Sequence, residues 1–465
     1  MEPANFRFGG GSAETMLNPA VAVVMILAIV AMFLLRRKYV IVPLLLTAFL
    51  TPYGEVVVVG GVHFPVYRIL VLFALVRVLF LRCTSKGGAA AGGFNSIDWA
   101  FALSYTFGAV NFVLLYMEMP ALINKLGGFV DTMGGYFILR LLIQDAEDVR
   151  RVLKVFAAVA TIMAVTMVGE KATRQNVFQY IGGFPLEIRE GTIRSHGAFE
   201  SSILAGTFGA AVFPLFVGLW KWGRSKVAAF FGMISATIIV LTSGSSTPLG
   251  AYIWGVLALF FWPLRKKMRP IRWAIAITLL GLHLVMKAPV WALIARVDFT
   301  GSSSGYHRYM LVDNCIRHFT DWWLLGTKDY ANWGWDMFDL CDEYVVRALT
   351  GGFLTFFFFI AIICWSFGKI GTARKLAAGN RKQEWLLWAL GASMLAHVMA
   401  YFGISFFDQT QVEWFMLLAI ISVAVSQAKR LPALRVEKVD DSWSAMSPTL
   451  ELPELATQRV SGRIF

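Results

Sequence analysis

Apolar runs close to twenty residues long recur from about residue 18 to about residue 428. Each matches the roughly 20 residues of helix that cross the hydrocarbon core of a bilayer. A chain that repeats such runs has to satisfy its backbone hydrogen bonds inside each segment. The runs are continuous and do not alternate apolar with polar residues, which argues against a β-barrel. Composition agrees: 57% of the 465 residues are apolar and 15% charged, against about 25% charged in a typical soluble domain. The fold class expected is an all-α polytopic integral membrane protein.

Thirteen segments read as spans: 18–35, 39–52, 66–81, 98–116, 120–143, 152–169, 198–220, 227–242, 247–264, 272–288, 348–368, 384–403 and 411–428. The second is short, so the expected number is about 12–13. "YGEVVVVGGVHFPVYR" after it reads as re-entrant or interfacial. The N-terminus does not read as a cleavable signal peptide, because its apolar run follows a polar stretch and ends at "RRK".

Charge orients the spans. Alternate loops carry "RRK" (36–38), Arg82 and Lys86, Arg150, Arg151 and Lys154, "KWGRSK", "RKKMRPIR", "KIGTARKLAAGNRK" and "KR" (429–430). The opposing short loops near 53–65, 243–247 and 404–410 hold no Lys or Arg. Basic residues stay on the cytoplasmic side, so the N-terminus is expected outside and the C-terminus in the cytoplasm. The transmembrane domain is taken as 1–428 and residues 429–465 as a cytoplasmic, disordered tail. The net charge of +13 is explained by these loops, and no nucleic-acid partner is expected. The four cysteines have no metal-ligand spacing, and neither a metal nor a cofactor is expected. A Cys315–Cys341 bridge is left open.

Two outer segments depart from the charge rule. The first, 170–197, holds Arg189 and Arg194; the second, 289–347, is a large, partly helical loop before the last three spans that holds His307, Arg308, Arg317 and His318. A cation at the entry to a span is costly unless paired, and Arg194 stands there in "RSHGAFESSILAG". Arg308 follows the Gly/Ser run "GSSSGYH" and opens a helix-like stretch. Arginine's planar fork suits phosphate oxygens bidentately. Arg194 and Arg308 are therefore the leading candidates to bind a pyrophosphate, with Arg189 and Arg317 behind them. The competing reading is that each arginine pairs with an acid to tie loops together. Tyr306, Trp322 and Trp323 are candidates for stacking on sugar rings, or for an interfacial aromatic belt.

These segments resemble the O-antigen ligase/polymerase superfamily of bacterial envelope polysaccharide enzymes. "RSHGAFESSILAG" resembles that family's Arg–x–x–Gly–x–Phe pattern opening a span, and "LTSGSSTPLGAYIWGVLALFFW" its Thr–x–Ser span two helices later. "GYHRYMLVDNCIRHFTDWWLLGTKDY" resembles its loop helix opened by an arginine. "DLCDEYVVRALTGGFLTFFFF" resembles its return to the membrane with a Gly pair. The resemblance covers roughly 100–430.

It implies a metal-independent, inverting glycosyltransferase in the bacterial inner membrane. The donor would be an undecaprenyl-pyrophosphate-linked oligosaccharide, the surroundings the lipid bilayer, and the partners other polysaccharide assembly or export proteins. Arg194 and Arg308 would hold the diphosphate and stabilise the leaving group. The family's ligases place a His–Asn pair before a late long span, where this chain has Asp342-Glu343-Tyr344. A general base is therefore sought among Glu200, Asp342 and Glu343, with His196 and His307 behind them. The leading expectation is a polysaccharide polymerase. The alternatives are a ligase transferring finished glycan to a lipid or protein, a flippase of the lipid-linked oligosaccharide, and a non-catalytic export scaffold.

Overall fold

A computed structural model describes residues 8, 14–84, 90–189, 191–223, 225–296, 305–334 and 336–446, with the backbone alone for 84 and 431–446. The helices are α1 (Pro19–Leu34), α2 (Ile41–Leu50), α3 (Val66–Thr84), α4 (Ser96–Tyr116), α5 (Met119–Phe129), α6 (Gly135–Leu142), α7 (Ala146–Thr173), α8 (Ser202–Trp222), α9 (Lys226–Ser243), α10 (Ser246–Phe260), α11 (Met268–Val285), α12 (Gly305–Arg317), α13 (Phe319–Trp322), α14 (Glu343–Leu376), α15 (Arg381–Ala400) and α16 (Gln409–Met446). Two antiparallel hairpins, β1 (Val56–Val59) with β2 (Val62–Pro65) and β3 (Glu187–Arg189) with β4 (Thr192–Arg194), complete the described fold.

Every expected span carries a helix, and the protein is helical with almost no sheet. Seven helical stretches among the described residues are long and apolar enough to cross a membrane: α4, α7, α8, α9, Trp262–Val285, α14 and Gln409–Arg430. The 39–52 segment is the ten-residue α2, too short for the roughly 30 Å hydrocarbon layer. "YGEVVVVGGVHFPVYR" contains the β1–β2 hairpin. The 120–143 segment is α5 and α6 joined by a π-turn over Val130–Gly134. Helix α16 continues to Met446, past residue 429 where the tail was expected to begin; 447–465 lie outside the described residues.

Caps explain several boundaries. Asn95 and Asp98 form a capping box before α4, Asp145 caps α7, Ser201 caps α8 and Asp342 caps α14. Each side-chain oxygen satisfies an amide that the first turn leaves without a partner.

The charges near spans are paired across helices. Arg68 grips Asp131 at 3.0 and 2.7 Å, and Arg140 meets Asp98 at 3.1 Å. Arg77 donates to the carbonyls of Met32 and Leu35.

The loops segregate to two ends. At one end Arg37 meets Asp148, Arg265 meets Glu384, and Lys221 lies over Trp385. At the other, Gln409 donates to the carbonyls of Thr51 and Ala198, the Ser195 amide to Thr242, and the Phe406 amide to Glu343. The second end gathers the loops poor in Lys and Arg together with the 170–197 and 289–347 segments.

Candidate functional site

The site is built on the turn Ser243-Gly244-Ser245-Ser246-Thr247 between α9 and α10. Two arginines flank it. Strand β4 delivers Arg194, and the next amide, Ser195, is tied to the Thr242 carbonyl at 3.2 Å. The buried Arg194 side chain passes close to Gly244, where an added Cβ would lie 3.5 Å from its Cγ. Arg308, from the first turn of α12, reaches the other end of the turn. It lines a cavity of about 320 Å³ with Ser246, Thr247 and Gly403. An added Cβ at Gly403 would sit 3.1 Å from Arg308 Nε and would collide with Thr247 Oγ1. Only a residue without a side chain lets these two groups approach there.

The rest of the cavity wall is apolar, including Trp254, Leu279, Ile294, Met399 and Phe402. Its Arg308 Nε is buried and has no hydrogen-bond partner among the described residues. Burial pushes the Arg308 guanidinium below the usual arginine range, Cys341 and Asp342 oppose that shift, and Arg189 adds to it. An arginine stays charged even so. The same fact puts Arg189 close enough for its charge to be felt at Arg308. Both cations of the β3–β4 hairpin thus lie toward this region.

Asp342 supplies the opposite charge. It is fully buried; Oδ1 accepts the Val345 amide at 3.1 Å, and Oδ2 has no partner among the described residues. Burial pushes its carboxyl up to about 7, while backbone amides and Arg308 pull the other way. A carboxyl that titrates near neutrality is matched to proton transfer. Glu343 is committed elsewhere: it holds Arg347 at 2.7 Å and the Phe406 amide at 2.8 Å.

Glu200 stands in a second acidic group. Its amide donates to Asp408 Oδ2 at 3.4 Å. Burial raises the Glu200 carboxyl, and burial with Glu200 beside it raises Asp408 well above the usual range. Tyr53 joins them, its phenol pushed up to about 12 by burial and by both acids. Asp408 was missed in the sequence. Its only signals were a short loop free of Lys and Arg and its place before a span.

The histidines are fasteners. The His196 ring lies between the carbonyls of Phe199 (2.7 Å) and Pro185 (3.0 Å), and its amide meets Glu170. His307 joins the Asp336 carbonyl at 2.9 Å to Cys341 Sγ at 3.5 Å. Arg317 points outward, 69% exposed and paired with Asp313. Trp322 is buried, donating to the Cys315 carbonyl at 2.7 Å, whereas Trp323 and Tyr306 are exposed. Cys315 and Cys341 are free thiols. The Gly/Ser run 301–304 lies outside the described residues. The structure therefore brings Arg194 and Arg308 to one turn, with the charges of Arg189 and Asp342 felt at Arg308, and leaves Arg317 and Trp322 in other roles.

Scans against protein-family models and against curated proteins find no match for this chain.

Proposed function

We propose that the protein is a polysaccharide polymerase of the bacterial inner membrane, built on about thirteen membrane segments with its N-terminus outside and its C-terminus in the cytoplasm. It transfers glycan from an undecaprenyl-pyrophosphate-linked donor to an acceptor sugar hydroxyl on the outer face. One observation carries this reading: Arg194 and Arg308, distant in the chain, flank one Ser/Thr turn, and Arg308 lines an apolar cavity beside it. An amphiphile with a diphosphate head and an isoprenoid tail matches that pairing of cations with apolar wall.

In the reaction, the acceptor oxygen bonds to the anomeric carbon as the bond from that carbon to the diphosphate oxygen breaks. The electron pair leaves with the diphosphate, where the guanidinium groups stabilise the growing charge. Asp342 takes the hydroxyl proton. The apolar wall, with Trp254, Leu279 and Phe402, takes the first isoprenoid units, and the exposed Trp323 and Tyr306 offer faces for sugar rings. A flippase would line a route through the bilayer with charge, but Arg68 and Arg140 are closed on Asp131 and Asp98.

The test is the lipid-linked intermediate that accumulates in a deletion strain. Single lipid-linked repeat units outside support the polymerase. Long lipid-linked chains reassign the protein as a ligase, and units held inside make it a flippase.

A further inference from the structure

We propose that His397 and Glu413 form a one-proton site in the apolar core of the bundle. His397 lies near the end of α15 and Glu413 near the start of α16. Both are fully buried, with Nε2 3.9 Å from Oε1. His397 Nδ1 is 2.9 Å from the Ser393 carbonyl. A carbonyl only accepts, so Nδ1 carries the hydrogen and Nε2 of the neutral ring is left as an acceptor. That Nε2 and both oxygens of Glu413 have no hydrogen-bond partner among the described residues.

An ionised carboxylate with two bare oxygens is not sustained in an apolar interior; such a group pairs or takes up a proton. Among the described residues no cation stands by to pair with it; Tyr401, whose ring centroid lies 6.5 Å from that of His397, brings a phenol and not a cation. On the packed helices, α2 carries no ionisable side chain, α10 only Tyr252, and α8 only Lys221 at its far end. On α14, Glu343 and Arg347 are closed on each other, and the Tyr344 hydroxyl donates to the Val398 carbonyl; its remaining ionisable groups, Cys364, Lys369, Arg374 and Lys375, lie further along, as do Arg381, Lys382 and Glu384 of α15 and Lys429 and Arg430 of α16. On α6, Arg140 is closed on Asp98, which Tyr136 also meets. On α7, Glu170 is closed on the His196 and Gly197 amides, and the helix's other acids, with Arg150, Arg151 and Lys154, crowd its first turns, leaving Lys171 at the outer end.

One proton resolves the arrangement. Carried by the carboxyl and offered to Nε2, it leaves both groups neutral. Closing 3.9 Å to a hydrogen bond of roughly 2.7–3 Å needs a small side-chain rotation or one bridging water. The pair joins two helices whose connection, 401–408, reaches the candidate site three times. Gly403 abuts Arg308 and Thr247, the Phe406 amide holds Glu343, and Asp408 accepts from Glu200. The shared proton thus fastens the root of that connection. This inference stands whether or not the donor is a lipid diphosphate.

The test uses the full chain in lipid nanodiscs. Infrared difference spectra of wild type against Glu413→Gln should contain a protonated-carboxyl C=O band at neutral pH, unchanged by sodium. A difference showing only carboxylate bands overturns the proposal, as does conversion of the acid band by sodium at fixed pH, which would make this a cation site. Should E413Q not fold, wild-type protein with 13C-carboxyl glutamate gives the same distinction by solid-state NMR. Raising the pH until the band is lost should lower the protection factors at 403–406, exchange being corrected for its intrinsic rise with pH, in wild type and leave them unchanged in E413Q. Equal behaviour of the two would overturn the fastening role.

Discussion

The 170–197 and 289–347 segments deliver the same side chain to the same turn by different means. The first, around β3 and β4, has almost no core of its own. It hangs on polar fasteners: Glu170 accepts the His196 and Gly197 amides, and Asn176 donates to the carbonyls of Phe184 and Gly197. The second, from α12 to the start of α14, has a small apolar core of Leu311, Cys315, Trp322, Met337, Val345, Ala348 and Leu349. It docks on α14 where Gly352 breaks the helix with φ +73°. There the Thr327 amide reaches the Leu349 carbonyl and the Phe353 amide reaches Trp323. A side chain at Gly352 would meet the Leu324 carbonyl at 2.5 Å. Hydrogen bonds are directional and each contributes about 1 kcal/mol net, so the first segment depends on many small terms. The second depends on a few large ones.

Substitutions can break that contrast, and Trp322→Ala is expected to do most. Emptying a buried indole costs about 3–5 kcal/mol, so hydrogen exchange across 305–342 should rise while the membrane helices stay protected. Equal loss in both segments would dissolve the comparison. Next come Arg194→Ala and Arg308→Ala. On the proposed mechanism each removes a charged donor to the leaving group, an effect of about 10²–10³ in turnover, read as polymer formed from lipid-linked repeat units. Lysine should rescue poorly, because it lacks the planar fork. If both alanine variants still make full-length polymer, the diphosphate clamp is wrong.

Asp342 sharpens the contrast through pH. With its carboxyl near 7 and the role of base proposed for it, the rate should rise about tenfold between about pH 6 and pH 8 as it ionises, and Asp342→Asn should flatten that limb. The stability sign is opposite. Its folded value lies above the ordinary 3.8, so the folded state holds the extra proton between the two values. Stability therefore falls as pH rises through that window, which thermal melting of wild type against D342N will register. Asn176→Ala should loosen the first segment by about 1–3 kcal/mol through the buried groups it strands, with no effect on exchange in 305–342. The smallest effect belongs to Arg317→Ala, expected within about 0.5 kcal/mol for an exposed pair and without loss of polymer.

Much of the fold was legible because it is local. The apolar runs alone placed the helices, four of which Asn95, Asp145, Ser201 and Asp342 cap in the structure. The Glu200–Asp408 neighbourhood was not legible, since its members come from separate loops. Neither were the opposite fates of Trp322 and Trp323, identical neighbours of which one fills a core and the other faces outward. Helices α8 and α11 make the same point at larger scale. Both are apolar, yet the spanning window of α8 is 83% buried and that of Trp262–Val285 is 0% buried. Small residues such as Gly206, Gly209 and Gly218 bring α8 against its neighbours.

By itself, then, the sequence determined the helical class, the positions of the helices and which loops share an end. Those properties follow from apolar length, capping and loop charge, all carried by contiguous residues. Only the tertiary structure decided which of several equivalent arginines, acids and aromatics are buried together. Burial and pairing depend on partners far away in the chain, and a linear pattern does not hold those distances.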